Sequence, residues 1–382
     1  MKKTIGVTID LKKGLWSSGI NQNAIYLCEV LKNAGYNVTI IYHGNDREVD
    51  KISYIKKFNP INIDKRLSIK LDLLITLGVI LNQQDIDQMR VMNSRLKVVA
   101  YKCGNEFFSD MENILFGAHE SRKDLYGRGL MKPDQIWVIP QMEETNLSYY
   151  RYVLEQDNAT VVPFIWSPMA IEDLQKKNNY SNYQGEPISS LAVMEPNISV
   201  FKNILFPIVA LNRAYNSIKN KVGKFYMIGS SSIKDSKVLY HIVAKSKMFK
   251  DNVISFDGRI QTTEVLNKHA NIVFSWQMHN PLNYLYLDIA WLGYPIVHNG
   301  YMCKDVGYFY NEFDEEEAAS VLTHAISAHQ TDQDYMVRNR QVISRYLPTN
   351  KSLINQYREL VEDVLNDRFE KKIYNSETNT LL

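Results

Sequence analysis

The stretch Asn280-Pro-Leu-Asn-Tyr-Leu-Tyr-Leu-Asp288-Ile-Ala-Trp-Leu-Gly293-Tyr-Pro295-Ile-Val297 constrains the fold of this chain more than any other. It reads as a helix carrying one acid, stopped by Gly-x-Pro and followed by a buried strand, Ile296 to His298. Gly293 supplies the positive φ that a helix end favours, and Pro295 bars the helix from continuing. A helix that returns into a strand is the repeating unit of a parallel α/β sheet. That layout can deliver a carboxylate to the carboxyl edge of the sheet, where nucleotides bind. Asp288 stands among Leu285, Leu287, Ile289 and Leu292. An acid in such apolar company needs polar partners, and ligand hydroxyls are suitable ones.

At 382 residues the chain is long enough for two domains in place of one large core. Apolar residues make up 45% and charged residues 23%, which places it with globular proteins and not with disordered ones. A formal charge of +2 gives no chain-wide attraction to nucleic acid, so any such binding needs a local basic face. Cys28, Cys103 and Cys303 lie too far apart for a zinc spacing or a disulfide framework, and a reducing, cytoplasmic setting is expected. Met1-Lys-Lys3 leads directly into the strand Ile5-Gly-Val7 and not into a signal-peptide core. No apolar run approaches the roughly 20 residues of a membrane span.

Strands alternate with helices almost throughout, the pattern of parallel sheets. Expected strands are Thr4–Ile9, Val38–Tyr42, Leu71–Thr76, Leu96–Tyr101, Ile136–Ile139 and Thr160–Val162, with a first helix over Asn21–Asn33. The polar stretch 175–187 carries Gly and Pro without periodicity and reads as an interdomain linker. The alternation then restarts with Ser190–Met194, a helix over Asn203–Asn216, Lys224–Ile228, Asn252–Phe256 and Ile272–Ser275. The acidic run Asp314–Glu317 suits a helix start. The expected organisation is a domain over 1–174, a linker over 175–187, a second domain over 188–350, a terminal helix over 351–367 and a mobile tail over 368–382.

Two further constellations carry chemistry. In Met194-Glu-Pro-Asn-Ile-Ser-Val-Phe-Lys202-Asn203 a strand ends in a loop that enters a helix, with a lysine at the helix start. Cations are disfavoured at a helix N-terminus, so a bound anion would offset the cost, and amides plus an ammonium make a pyrophosphate site. The second is the loop Asp10 to Asn23 after the first strand, whose small and polar residues permit close backbone approach to a ligand. It matches neither Gly-x-Gly-x-x-Gly nor a P-loop. Ser18, Gly19 and Asn23 are its candidate contacts, with helix capping as the alternative role for the serines.

Pro281, Asp288, Gly293, Pro295 and Val297 resemble, in register, the nucleotide-sugar signature of GT-B glycosyltransferases. The resemblance implies an α/β fold of two Rossmann-like domains with parallel sheets facing across a cleft, and a C-terminal helix packing back on the N-terminal domain. It implies that Asp288 holds the ribose hydroxyls of a nucleotide-diphosphate sugar, UDP-linked in our reading, that serves as donor. Asn280 replaces a glutamate of the signature, which leaves the donor-sugar contact and the stereochemical course open. Lys202 corresponds to a diphosphate-binding lysine, and Arg259 is the expected second cation. His279 and Asn283 flank the signature as further donor contacts. In the loop after the fourth expected strand, Glu106 is a candidate base and Asn105 a candidate sugar contact, with His119 competing for the base role. Asp85-Ile-Asp87 and Asp332-Gln-Asp334 resemble a metal-binding Asp-x-Asp, but both sit at helix starts where acids cap, so no metal or other cofactor is expected.

The runs Trp137–Pro140, Val162–Pro168, Glu195–Lys202 and Asn283–Asp288 also resemble a bacterial and phage family, the DUF2827 proteins, from about Trp16 to Tyr310. That resemblance implies a GT-B-like glycosyltransferase without supplying an acceptor. The richness in Lys, Asn, Ile and Tyr is similar to that of proteins from AT-rich phage genomes. It points to duplex DNA carrying hydroxymethylcytosine as the acceptor, modified in the host cytoplasm. A cell-surface glycan or lipopolysaccharide is the alternative acceptor, and a nonenzymatic nucleotide-sugar-binding protein the alternative function.

Overall fold

Short apolar runs joined by amphipathic helices form two all-parallel sheets in the computed structural model, which describes residues 2–13, 19–45, 47, 49, 52–79, 81–117 and 131–382. The chain divides into two units, Met1–Ser167 with Arg345–Leu382, and Pro168–Ser344. The first unit holds β1 (Thr4–Asp10), β2 (Asn37–His43), β3 (Ile61–Asn62), β4 (Leu73–Thr76), β5 (Lys97–Lys102), β6 (Gln135–Val138) and β7 (Ala159–Val161). Their spatial order is β3-β2-β1-β4-β5-β6-β7. The second unit holds β8 (Ser190–Val193), β9 (Lys224–Ile228), β10 (Ile254–Asp257), β11 (Ile272–Phe274), β12 (Ile296–His298) and β13 (Tyr308–Phe309). Their order is β10-β9-β8-β11-β12-β13.

The central strands are buried on both faces, as Ile5, Val7, Leu73, Leu74, Leu191 and Val193 show. Burial on both faces is why these strands read as near-continuous apolar runs. In each sheet the winding direction reverses beside the first strand of the unit, between β1 and β4 and between β8 and β11. Loops leaving the two strands at a reversal pass to opposite faces and open a crevice at the carboxyl edge. The sequence thus builds two such crevices, one per unit.

The terminal helix Lys351–Leu365 packs on the first unit, as expected. It buries Leu353, Tyr357, Leu360, Val361 and Val364. Glu362 accepts a 2.9 Å hydrogen bond from the Tyr36 hydroxyl, and Arg358 Nε donates to Ala34 O at 3.3 Å.

Two expectations are corrected. The 175–187 stretch is not a free linker, because the division falls at Ser167/Pro168 and the stretch packs within the second unit. Its first residues end the helix Met169–Asn178, which closes on Asn179 in the left-handed region. Tyr183 then lies 5.5 Å from the Tyr294 ring and 4.8 Å from the His329 ring, and its amide donates to Leu292 O at 3.0 Å. Polar composition hid this because the anchors are single aromatics and backbone groups. The tail expected to be mobile forms the hairpin β14 (Tyr374–Asn375) and β15 (Thr380–Leu381), held by the buried side chain of Asn379.

Candidate functional site

The crevice of the second unit is lined by a buried polar network that ties three adjacent strands at their carboxyl ends. Glu195, two residues beyond β8, is fully buried. The hydroxyl of Ser275, just past β11, donates to its Oε1, and Gln277 Nε2 donates to its Oε2 at 3.0 Å. Gln277 Oε1 accepts in turn from Asn280 Nδ2 and, at 2.8 Å, from Asn283 Nδ2. Asn299, just past β12, pairs with both backbone polar groups of Gln277 at 2.9 Å each. Nearly every buried polar group needs such a partner, and here the partners converge on one sheet edge.

Lys202 belongs to the same crevice. Its loop turns on Asn197, which sits at φ 53°. Asn197 Nδ2 donates to Glu195 O at 2.7 Å and to Gly229 O at 3.3 Å, while its Oδ1 accepts from Ile204 N at 3.0 Å. Gly229, at φ +81°, is required there, since a Cβ would come within 2.9 Å of Glu195 O. Lys202 is half-buried with its ammonium 5.5 Å from the Phe201 ring. Burial lowers its pKa, and the negative charge of Glu195 works the other way. Burial also pushes the Glu195 carboxyl up to about 7, against hydrogen bonds from Ser275 and Gln277 and the charge of Lys202.

The helix amides expected beside Lys202 are largely engaged. The helix spans Leu205–Ile218, and its entry amides Ile204 N and Leu205 N donate to Asn197 Oδ1 and Asn203 Oδ1 at 3.0 Å each. Pro207 has no N–H to offer. The anion-attracting element of this loop is therefore the ammonium more than the helix end.

Asp288 lies on the helix Tyr284–Trp291 that returns to β12. Asn283 caps the start, its Oδ1 accepting from Leu285 N at 2.9 Å. The end is a Schellman motif, with Tyr294 N to Ile289 O at 3.2 Å and Gly293 N to Ala290 O at 3.1 Å around Gly293 at φ +80°. Asp288 is half-buried between the fully buried Leu287 and Ile289. It lies four residues, about 6 Å of helix rise, from the helix start at the sheet edge. Tyr286, on the same helix, stacks on His298 with centroids 4.5 Å apart.

The structure joins Asn280 and Asn283 in one hydrogen-bonded network, brings Lys202 near enough for its charge to act on Glu195, and sets Asp288 on the helix leaving the network. His279 is exposed at φ 48° in the same loop. Arg259 is exposed beyond β10, two strands from β8 and outside the network. Glu195, Ser275, Gln277 and Asn299 were not singled out from the sequence. Glu195 had one legible signal, a carboxylate directly after the apolar run Leu191–Met194.

The first-unit candidates sit at the carboxyl edge of the other sheet. Gly19 opens the helix Gly19–Asn33, and Asn23 on it is buried, its Oδ1 without a hydrogen-bond partner among the described residues. Asn105 caps the helix Glu106–Phe116, its Oδ1 accepting from Phe108 N at 3.3 Å and Asn146 Nδ2 at 2.9 Å. Glu106 Oε1 lies 3.4 Å from the Lys102 ammonium. Ser18 and His119 lie outside the described residues. Of the two Asp-x-Asp matches, Asp85 completes a capping box with Asn82 and pairs with Arg66 at 2.6 Å. Asp332 pairs with Arg338 at 2.5 Å. Among the described residues no helix is long and apolar enough to cross a membrane.

A family model described as "Protein of unknown function (DUF2827)" matches residues 5–361. The chain belongs to the DUF2827 family. No curated protein matches it in sequence. In architecture this DUF2827 protein is similar to a glycosyltransferase from Rickettsia africae ESF-5, with TM-score 0.54 and 12% identity over 96% of this chain and 99% of that one. It is also similar to a sucrose-phosphate synthase from Thermosynechococcus elongatus, with TM-score 0.52 and 12% identity over 96% and 100% of the two chains. The catalytic domain of starch synthase IV from Arabidopsis thaliana, bound to ADP and acarbose, matches with TM-score 0.50 and 9% identity over 96% and 99%. At such identities the likeness establishes the fold, and the DUF2827 protein has the GT-B fold.

Proposed function

We propose that this protein is a glycosyltransferase that takes its sugar from a nucleotide diphosphate, UDP in our reading, seated at the carboxyl edge of the second sheet. The observation that carries the reading is the lysine-and-carboxamide network at the reversal between β8 and β11. Open α/β sheets bind ligands at such a reversal, and here it carries an ammonium, Lys202, for the diphosphate. The fold shared with glycosyltransferases and the register of Asp288 with their signature support the same reading.

The residues divide the work by chemistry. The Lys202 ammonium offsets the charge that grows on the leaving diphosphate, which is where electrostatic catalysis acts. Asp288 accepts hydrogen bonds from the ribose hydroxyls. Asn280 and Asn283 offer neutral polar contacts to the sugar, His279 can donate to phosphate or sugar, and Arg259 adds peripheral positive charge. In the first unit Glu106 or His119 is the candidate base for the acceptor hydroxyl. Asn105, Asn23, Gly19 and Ser18 are the candidate acceptor-side contacts, and the unsatisfied Oδ1 of Asn23 is a ready polar atom for a ligand.

The finer step concerns the acceptor. We assign it to hydroxymethylcytosine in duplex DNA, modified in a host cytoplasm, and residue composition is the sole support for that assignment. The experiment is mass spectrometry after incubation with UDP-, ADP- and GDP-sugars. Release of free sugar from one of them, which the glycosyltransferase reading predicts, is absent in a nonenzymatic binder. A hexose or pentose mass shift on hydroxymethylated DNA supports the DNA acceptor. Transfer to a lipid-linked or polysaccharide acceptor, with no shift on DNA, replaces it with the surface-glycan alternative.

A further inference from the structure

Glu195 is a fully buried carboxylate engaged by neutral donors, the side chains of Ser275 and Gln277 and the backbone amide of Trp276. Gln277 cannot turn its carboxamide over in this setting. Reversal would point its oxygen at the carboxylate and its NH2 group at the Nδ2 donors of Asn280 and Asn283. One buried acid therefore dictates the orientation of Gln277, and Gln277 Oε1 dictates that of both asparagines. Asn283 in turn gives its Oδ1 to Leu285 N, so the relay reaches the helix that carries Asp288. A buried network of this kind specifies one arrangement only while every member is satisfied.

We propose that Glu195 is a positioning residue of the donor site: it touches neither phosphate nor sugar, but orients Gln277, Asn280 and Asn283 and sets the charge balance around Lys202. This inference rests on the donor reading given above. Among the described residues the cation that acts on Glu195 is Lys202, which approaches from the loop after β8. From the helix Tyr284–Trp291 and from beyond β13 the titratable groups that sense Glu195 are Tyr286 and Tyr310, with Glu312 acting on both tyrosines and Cys303 on Tyr286. Burial raises both phenols well above their ordinary value, so they stay neutral near pH 7. His298, stacked on Tyr286, is held neutral by burial, down to about 4. Of the buried acid, phenol and imidazole groups gathered here, Glu195 is the one brought close to neutrality, and an ionised carboxylate there opposes an arriving anion.

The test is calorimetric titration of UDP, ADP and GDP into the full chain and its variants. Glu195→Leu, which removes the orienting carboxylate, is expected to weaken the nucleotide that binds by about tenfold or more. Glu195→Gln keeps an acceptor for Gln277 and can donate to Ser275, so at low pH its affinity stays within about threefold of wild type. Wild-type affinity is expected to fall between roughly pH 6 and pH 8 as Glu195 ionises, and Glu195→Gln to lose that step. Gln277→Met, which leaves Glu195 in place, reproduces the loss seen with Glu195→Leu and stands in for it if that variant does not fold. Wild-type affinity and pH profile in Glu195→Leu or Gln277→Met would overturn the positioning role alone. A wild-type protein that binds none of the three nucleotides would overturn the donor reading itself.

Discussion

Asn379 and Phe164, 215 positions apart, exchange two hydrogen bonds: Phe164 N donates to Asn379 Oδ1 and Asn379 Nδ2 donates to Phe164 O, each at 3.0 Å. The same Nδ2 donates to Arg345 O at 3.0 Å, and Trp166 N donates to Tyr346 O at 2.9 Å. One side chain near the C-terminus thus ties together the two segments by which the chain passes between its units. Gln356, on the terminal helix, secures the hairpin through Asn379 O at 3.2 Å and Leu381 N at 2.7 Å.

Asn379→Ala leaves the backbone groups of Phe164 without their partner in a buried site. It should cost about 2–6 kcal/mol, from a penalty of roughly 1–3 kcal/mol for each of the two orphaned groups. Denaturant unfolding measures this, and a change under about 0.5 kcal/mol, as for an ordinary surface residue, would show the hairpin to be dispensable.

His298 has a forced tautomer. Its Nε2 faces Val306 O at 2.7 Å, which can only accept, and its Nδ1 faces Gly300 N at 3.0 Å, which can only donate. Protonating the ring would destroy the second bond, and burial already holds the group down to about 4. A depressed pKa contributes stability that is present above the unfolded-state value and lost as pH falls through the folded one. Stability should therefore drop by about 3 kcal/mol between roughly pH 6.5 and pH 4 from this group. Nitrogen-15 NMR of the imidazole checks it directly. A midpoint near 6.5 in the folded protein would contradict the buried neutral ring.

Lys202→Ala should reduce turnover by roughly 100-fold, the scale for removing one electrostatic stabiliser of the transition state. Arg259→Ala should cost less, since Arg259 is exposed two strands away from the network. If side-chain cations serve the diphosphate, as proposed, a chelator should change turnover little. Strict dependence on manganese or magnesium would overturn this and return attention to Asp85 or Asp332.

Gly293→Ala forces a side chain into the left-handed region, with its Cβ 3.3 Å from Met336 Sδ. A loss of about 1–2 kcal/mol is expected from the backbone alone. Thermal unfolding unchanged by the substitution would mean that the helix stop does not depend on glycine there.

Gly293 and its Schellman turn show what the sequence makes legible. Local chemistry of this kind, like the apolar runs of β1, β4, β8 and β11, is decided by residues close together in the chain. Even strand ends are readable to within a few residues because each run is bounded by polar groups, and the five-residue strand Lys224–Ile228 has the bounds expected of it. Edge strands such as Ile61–Asn62 and Tyr308–Phe309 were not, since two residues carry no periodicity and gain their identity from a neighbour. The site divides the same way. Asp288 and Lys202 are visible as a lone acid and a lone cation in telling local contexts. Glu195, Gln277 and Asn299 become a unit only when β8, β11 and β12 lie side by side, over a separation of 82 positions between the first two. Asn379 was hidden for that reason too, in a polar tail whose partners lie far upstream.

The most direct measurement of the central claim is the affinity of Asp288→Ala for the nucleotide diphosphate that the wild type binds, by calorimetry, beside thermal unfolding of both. Loss of a charged acceptor to ribose hydroxyls should weaken binding by about 1.5–3 kcal/mol, roughly ten- to 150-fold, with little change in unfolding. Equal affinity in the two proteins would contradict a nucleotide seated at the carboxyl edge of the second sheet.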